Sequence, residues 1–232
     1  MPAPAAKGRL LVATPALEDP NFYRTVVFLL AADNDGALGV VLNRPSETSV
    51  GDVVPHWSLH VSDPQVLFVG GPVQPNAAIC VGRVSVSQGG SGTSEGPGPA
   101  SPGPAYEGLS GLGTGSGASL FPGEDDFGLS ELEDPEGNGY SPLIGSLGTV
   151  DLNRAPEDIP VVFSGLRVFT GYSGWGPGQL EDEIDAGGWF LLEGQEADVL
   201  SPEPDRLWER VLRRQGGWLA VMSRHPADAS LN

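Results

Sequence analysis

Cysteine and lysine are nearly missing from this chain, and each absence excludes something. Cys80 is the single cysteine in 232 residues. No intrachain disulfide can form, and no cysteine cluster can hold a metal. That usage fits a reducing compartment. Lys7 is the single lysine, and 12 basic residues face 30 acidic ones, a formal net charge of −18. Sequence-independent binding of nucleic acid rests on basic side chains neutralising phosphates, and docking on anionic lipid rests on the same attraction. Neither is expected of so acidic a chain. Long apolar runs are missing too. No window reaches the roughly 20 residues of a membrane helix, and Met1 to Leu11 has no apolar stretch of secretory-leader length. His56 and His60 stand four apart, which would suit two metal ligands on a helix, but no third ligand is near in sequence and Pro55 unsettles a helix there. Neither a metal nor a cofactor is expected.

What the chain does have is glycine and proline, 34 and 22 residues. They concentrate between Ser87 and Gly145, where 16 Gly, 9 Ser and 7 Pro make up 32 of 59 residues. The same stretch holds nine acids and no base. Such a composition buries too little apolar surface to offset its ordering entropy. Residues 87–145 are therefore expected to be a disordered acidic insert within one domain, because the strand-like pattern resumes after it in the same style. Setting its nine acids aside leaves 21 acids against 12 bases, still a moderately acidic protein. Its serines have no adjacent base, so Ser-His-Asp catalysis has no support.

On either side, short apolar β-branched runs alternate with turn signals. Leu10–Ala13, Thr25–Ala31, Ala37–Leu42, Val66–Val69, Ala77–Val81, Leu147–Leu152, Val161–Thr170 and Trp189–Leu192 read as strands. Asp33-Asn34-Asp35-Gly36 joins two of them as a hairpin. Ser49 caps a short helix to Val54. Leu207, Trp208, Val211 and Leu212 form the apolar stripe of a helix over Asp205–Gln215, closed by Gly216-Gly217. Cys80 follows Ala77-Ala78-Ile79, an apolar context that favours burial over reactivity. The richest motif is Gly171-Tyr172-Ser173-Gly174-Trp175-Gly176-Pro177-Gly178, a glycine-rich turn leading into a helix over Pro177–Ala186. A turn of this kind offers free N–H groups to an anion or a carbonyl; it is equally a tight strand-to-helix connection.

Several of these segments together resemble the YqgE/AlgH family. They are Gly8-Arg9-Leu10-Leu11-Val12-Ala13-Thr14-Pro15 with Leu17-Glu18-Asp19-Pro20-Asn21-Phe22, Gly36 to Pro45, Gly70-Gly71-Pro72-Val73-Gln74-Pro75, Gly171 to Glu183, and Leu207-Trp208. The resemblance implies a single α+β domain with a branched, partly barrel-like sheet surrounded by helices. It also implies a bacterial cytoplasmic protein. Family members are usually labelled transcriptional regulators, yet the family has no recognised DNA reader. The 87–145 insert is longer and richer in glycine than the family's usual connection.

Seven residues are expected to converge on one surface region: Asn43, Arg44, Gly71, Pro72, Tyr172, Trp175 and Gln179. Each sits where a strand ends or turns. Arg44 would hold a carboxylate or phosphate, or else pair with one of the many acids. Gly71-Pro72 would expose backbone N–H groups or simply let two backbones pass. Tyr172 and Trp175 would wall a pocket or close the core, and Gln179 would orient a ligand. Two functions fit these residues. One is a non-enzymatic binding or regulatory protein for a small polar ligand or a protein partner. The other is an enzyme acting on a small anionic metabolite, with Arg44 as anchor and Glu183 or Asp19 carrying a proton. No paired base and nucleophile supports the enzyme.

Overall fold

The computed structural model describes residues 5–85, 113–114, 132, 134 and 136–225. Its first half is a run of strands: β1 (Arg9–Ala13), β2 (Val26–Asp33), β3 (Gly36–Val41), β4 (Pro45–Ser49), β5 (Val66–Val69) and β6 (Val73–Val84). The β2–β3 hairpin turns at the expected residues, and Ser49 caps α1 (Val50–Val53) by accepting the Gly51 N–H at 3.2 Å. A two-residue β7 (Gly113–Thr114) pairs with β6. Then come β8 (Tyr140–Ile144), β9 (Leu147–Val150), β10 (Phe163–Trp175), α2 (Gln179–Asp185), β11 (Trp189–Glu193), α3 (Glu196–Val199), α4 (Leu207–Gln215) and α5 (Gly217–Met222).

Most of the 87–145 stretch lies outside the described residues. Its last residues are a strand, which corrects the expectation there. β8 pairs antiparallel with β9 through Tyr140↔Val150 and Ser141↔Thr149. Low-complexity composition averaged over 59 residues hides it. Pro142 is tolerated because β8 is the terminal strand of the sheet, where a missing N–H breaks no ladder.

A second correction concerns the glycine motif. Gly171 to Trp175 is strand, the far end of β10, and only Gly176–Gly178 turn. The partners explain it: Ser173, Gly174 and Trp175 pair with Gly39, Leu38 and Ala37 of β3. Gly171, at φ +67°, absorbs the register shift between Thr170 and Tyr172.

The sheet runs β11-β1-β2-β3-β10-β6-β9-β8 and branches at β10. There Phe169 faces Ile79 of β6 on one side and Phe68 of the parallel β5 on the other. One face of the β1–β3 region buries Leu10, Val12, Phe28, Leu38, Val40 and Leu42 with the Leu207, Trp208, Val211 and Leu212 stripe of α4. The other face buries Leu11, Ala13, Val27, Leu29 and Val41 with Trp175, Leu180 and Trp189. Strands covered on both faces need continuous apolar runs, and those are what the sequence has. Trp175 and Trp189 sit on strands four steps apart, about 19 Å in a flat sheet. Their ring centroids are 6.0 Å apart, so this part of the sheet curls into a half-barrel. A third cluster lies around Trp57, Leu166 and Val168, with Cys80 buried in it. Burial pushes the Cys80 thiol up and keeps it inert. The result is a single α+β domain.

Candidate functional site

Asn43 and Arg44 lie where the chain leaves β3. Asn43 is buried and bonded at both ends of its amide: its Oδ1 accepts the Val26 N–H at 2.9 Å, and its Nδ2 donates to the Arg24 carbonyl at 2.9 Å. These bonds clamp the turn at Arg24, whose φ of +54° is a conformation non-glycine residues rarely adopt. Arg24 spends its own side chain locally. Its guanidinium lies 4.0 Å over the Trp208 ring, 3.6 Å from Glu209, and donates to the His225 carbonyl at 2.6 Å. Arg44 is half-buried and donates to the Tyr23 carbonyl at 2.6 Å. No carboxylate among the described residues lies within ion-pairing distance of it. Burial lowers its pKa, since desolvation disfavours the charged form.

Gly70 and Gly71 lie against Gly171, Tyr172 and Ser173 of β10. A Cβ on Gly70 would overlap the Gly171 carbonyl oxygen, and one on Gly71 would overlap the Tyr172 carbonyl. The Gly70 carbonyl accepts the Val41 N–H at 2.8 Å and the Ser173 hydroxyl at 3.2 Å, and its N–H donates to Thr170. These glycines let two backbones pass at the branch of the sheet. Pro72 beside them is exposed.

Trp175 and Gln179 meet around Glu183, on the first turns of α2. Glu183 Oε2 accepts both indole N–H groups, Trp175 at 3.0 Å and Trp189 at 2.8 Å. Its Oε1 accepts Gln179 Nε2 at 2.9 Å, while Gln179 Oε1 accepts the Gly176 N–H at 3.1 Å. Phe22 stacks on Trp175 at 6.2 Å and meets Trp189 edge-on at 5.4 Å. Sequence reasoning weighed Glu183 alone; its role comes from indoles 8 and 6 residues away, on different strands.

The seven residues therefore form linked groups. Gly71 touches Tyr172. Arg44 reaches Tyr23, whose neighbour Phe22 belongs to the Trp175–Gln179 group. Tyr172 and Trp175, three apart on one strand, point to opposite faces: Tyr172 joins the core under α4 and Trp175 joins the half-barrel. They do not wall one pocket. Among the described residues no group of three His, Cys, Asp or Glu side chains could hold a metal. His56 Nε2 lies 3.2 Å from the Leu152 carbonyl, and His60 packs on Trp57 at 5.8 Å.

Arg167 went unread in the sequence. It is fully buried on β10 and donates to the carbonyls of Val199 (3.0 Å), Asp63 (2.7 Å) and Ser201 (2.9 Å), above the Phe68 ring at 4.2 Å. Burial lowers its pKa to about 10. The available signal was one charge inside the apolar run from Val161 to Thr170.

A family model described as AlgH-like matches residues 10–98 and 142–220. A UPF0301 protein of Streptomyces coelicolor is 43% identical, over 97% of this chain and 94% of its own length. The chain belongs to the AlgH-like family. Among solved structures, the crystal structure of a Corynebacterium diphtheriae protein matches with a TM-score of 0.70 at 28% identity, covering 95% of this chain and 93% of that one. The solution structure of AlgH from Pseudomonas aeruginosa matches with a TM-score of 0.55 at 21% identity over 99% of both chains, and so agrees in fold. The family match breaks between residues 98 and 142, where the composition changes.

Proposed function

We propose that this chain is a non-enzymatic binding protein, regulatory in role, that takes a small anionic ligand at Arg44. The observation that carries the reading is the state of that side chain. A structural arginine in this fold spreads its donors over several acceptors, as Arg167 does over three carbonyls. Among the described residues Arg44 has found only a backbone carbonyl, which uses one of its five donors. A partly desolvated guanidinium with donors to spare binds a carboxylate or phosphate strongly and in a planar geometry. The candidate proton carriers are otherwise engaged or exposed. Glu183 accepts three N–H bonds, and Asp19 is exposed and caps its own turn by accepting the Asn21 N–H at 2.8 Å. That favours binding over catalysis.

A ligand that binds only the folded state raises its melting temperature. A panel of small carboxylates and phosphates, tested by thermal shift, is expected to yield at least one stabilising compound. Arg44→Gln is expected to abolish that shift. A panel without effect, or a shift that survives Arg44→Gln, would refute the reading.

A further inference from the structure

The outer face of α5 is apolar where a helix on a soluble domain is ordinarily polar. The helix reads Gly-Trp-Leu-Ala-Val-Met and carries no charge. Leu219 turns inward against the main core. Trp218 and Val221, three apart and so on one side, are 60% and 68% exposed. Trp218 is nevertheless held in place, with its ring edge-on to Phe190 of β11 at 5.2 Å. An exposed but fixed aromatic loses little freedom on binding, which is the character of an interface anchor.

The segment of chain that carries it is basic where the rest of the sequence is acidic. From Arg206 to Arg224 there are five arginines and one acid, Glu209; elsewhere seven bases stand against 29 acids. Glu209 itself faces Arg24 at 3.6 Å. Two of the five arginines are engaged: Arg210 donates to the Ser201 hydroxyl at 2.6 Å, and Arg214 pairs with Asp198 at 2.6 Å. Arg206, Arg213 and Arg224 are exposed, and their side chains have no ion pair or hydrogen bond among the described residues. Arg213 stands in the last turn of α4, where its carbonyl accepts the Gly216 N–H that opens α5. Arg224 follows Val221 by three residues, with its N–H bonded to the Val221 carbonyl at 3.1 Å.

We propose that this face of α5, with Arg213 and Arg224, is a docking site for a short acidic peptide segment of a partner protein, with an apolar residue among its carboxylates. Charge complementarity selects that occupant. A long polyanion or an anionic membrane would extend beyond the patch and meet the acidic remainder within a Debye length of about 8 Å. A second copy would bring arginine against arginine across a two-fold contact. A short peptide stays within the basic area and gives Trp218 something to cover.

The test is fluorescence anisotropy of labelled 15-residue peptides on the full chain. One peptide alternates Asp and Glu with Leu and Phe; a second keeps the acids and replaces the apolar residues by Ser; a third keeps the apolar residues and replaces the acids by Lys. The first is expected to bind in the micromolar range and at least tenfold more tightly than the others. Trp218→Ser, Val221→Ser and the double change Arg213→Ser with Arg224→Ser are each expected to weaken it at least fivefold. Val221 touches less of the core than Trp218, so its variant answers the question if Trp218→Ser disturbs folding. Equal binding of the first two peptides would overturn the proposal. So would tighter binding of single-stranded DNA or phosphatidylglycerol vesicles, or a dimer in sedimentation that Val221→Ser dissociates.

Discussion

Asn43 and Glu183 secure neighbouring turns by different chemistry. Asn43 both accepts and donates, so one amide satisfies an N–H and a carbonyl around the left-handed Arg24. Glu183 only accepts, and three N–H donors converge on its two oxygens. A carboxamide has one acceptor oxygen, and its N–H₂ would face another donor. Glu183→Gln is therefore expected to destabilise the fold by about 1–3 kcal/mol, the loss for a buried donor left unpaired. Urea unfolding followed by tryptophan fluorescence measures it. A change below about 0.5 kcal/mol, the range of ordinary surface substitutions, would mean that water replaces the carboxylate at both indoles. Single residues of this kind were only half legible in the sequence. Arg44 and Trp175 were singled out from turn chemistry. Glu183 reads from sequence only as a candidate proton carrier, because its partners Trp175 and Trp189 reach it only through tertiary closure.

At the level of elements, period and turn residues were readable wherever the run was local. The β2–β3 hairpin and the stripe of α4 follow directly from alternation and i, i+4 spacing. The far end of β10 did not, because five residues with two glycines and a proline soon after carry a turn composition; pairing with β3 and the bulge at Gly171 override it. α5 was hidden behind Gly216-Gly217, which ends one helix and leaves room for another to begin. The β8–β9 hairpin is tied to α3 through one side chain. Glu196 accepts the Ser146 hydroxyl at 2.6 Å and the Ser146 N–H at 2.8 Å. These bonds, with Arg83 nearby, hold its pKa below the ordinary 4.5. A carboxylate depressed by folding stabilises the native state above its unfolded pKa, and that stabilisation is lost as pH falls through the folded value. Glu196→Gln is expected to melt below the parent at pH 7, with the gap closing as pH drops below about 4.5. A gap of constant size between pH 7 and pH 3 would show that the charge is not what Ser146 senses.

For the whole molecule, the curl of the sheet turns distant sequence into neighbours, bringing Phe22, Trp175 and Trp189 together across the half-barrel. The same sheet fixes both sides of the acidic stretch. Before it, the Val84 N–H bonds to Ser146 and the Ser85 N–H to Val162. After it, the Leu132 carbonyl accepts the Thr149 hydroxyl at 3.4 Å, and Thr149 stands opposite Val81. Val81 to Ser85 spans four residues along β6 and its exit, and β9 is one strand away. By ordinary strand dimensions the two ends are about 15 Å apart. A Gly-Ser linker of about ten residues has a mean span near that distance, so it closes the gap without strain. Residues 87–131 contribute mainly glycine, serine, proline and acids, and the core clusters of the described residues are complete without them. Replacing them with such a linker removes the two-residue β7 but leaves β6 paired with both β10 and β9. The shortened protein is expected to unfold in one cooperative transition, with a melting temperature within a few degrees of the parent. It should also keep the arginine-dependent ligand shift at Arg44, since the replaced residues include neither β3 nor the Tyr23 turn. A chain that loses its cooperative melt would show that the acidic segment is part of the folding unit.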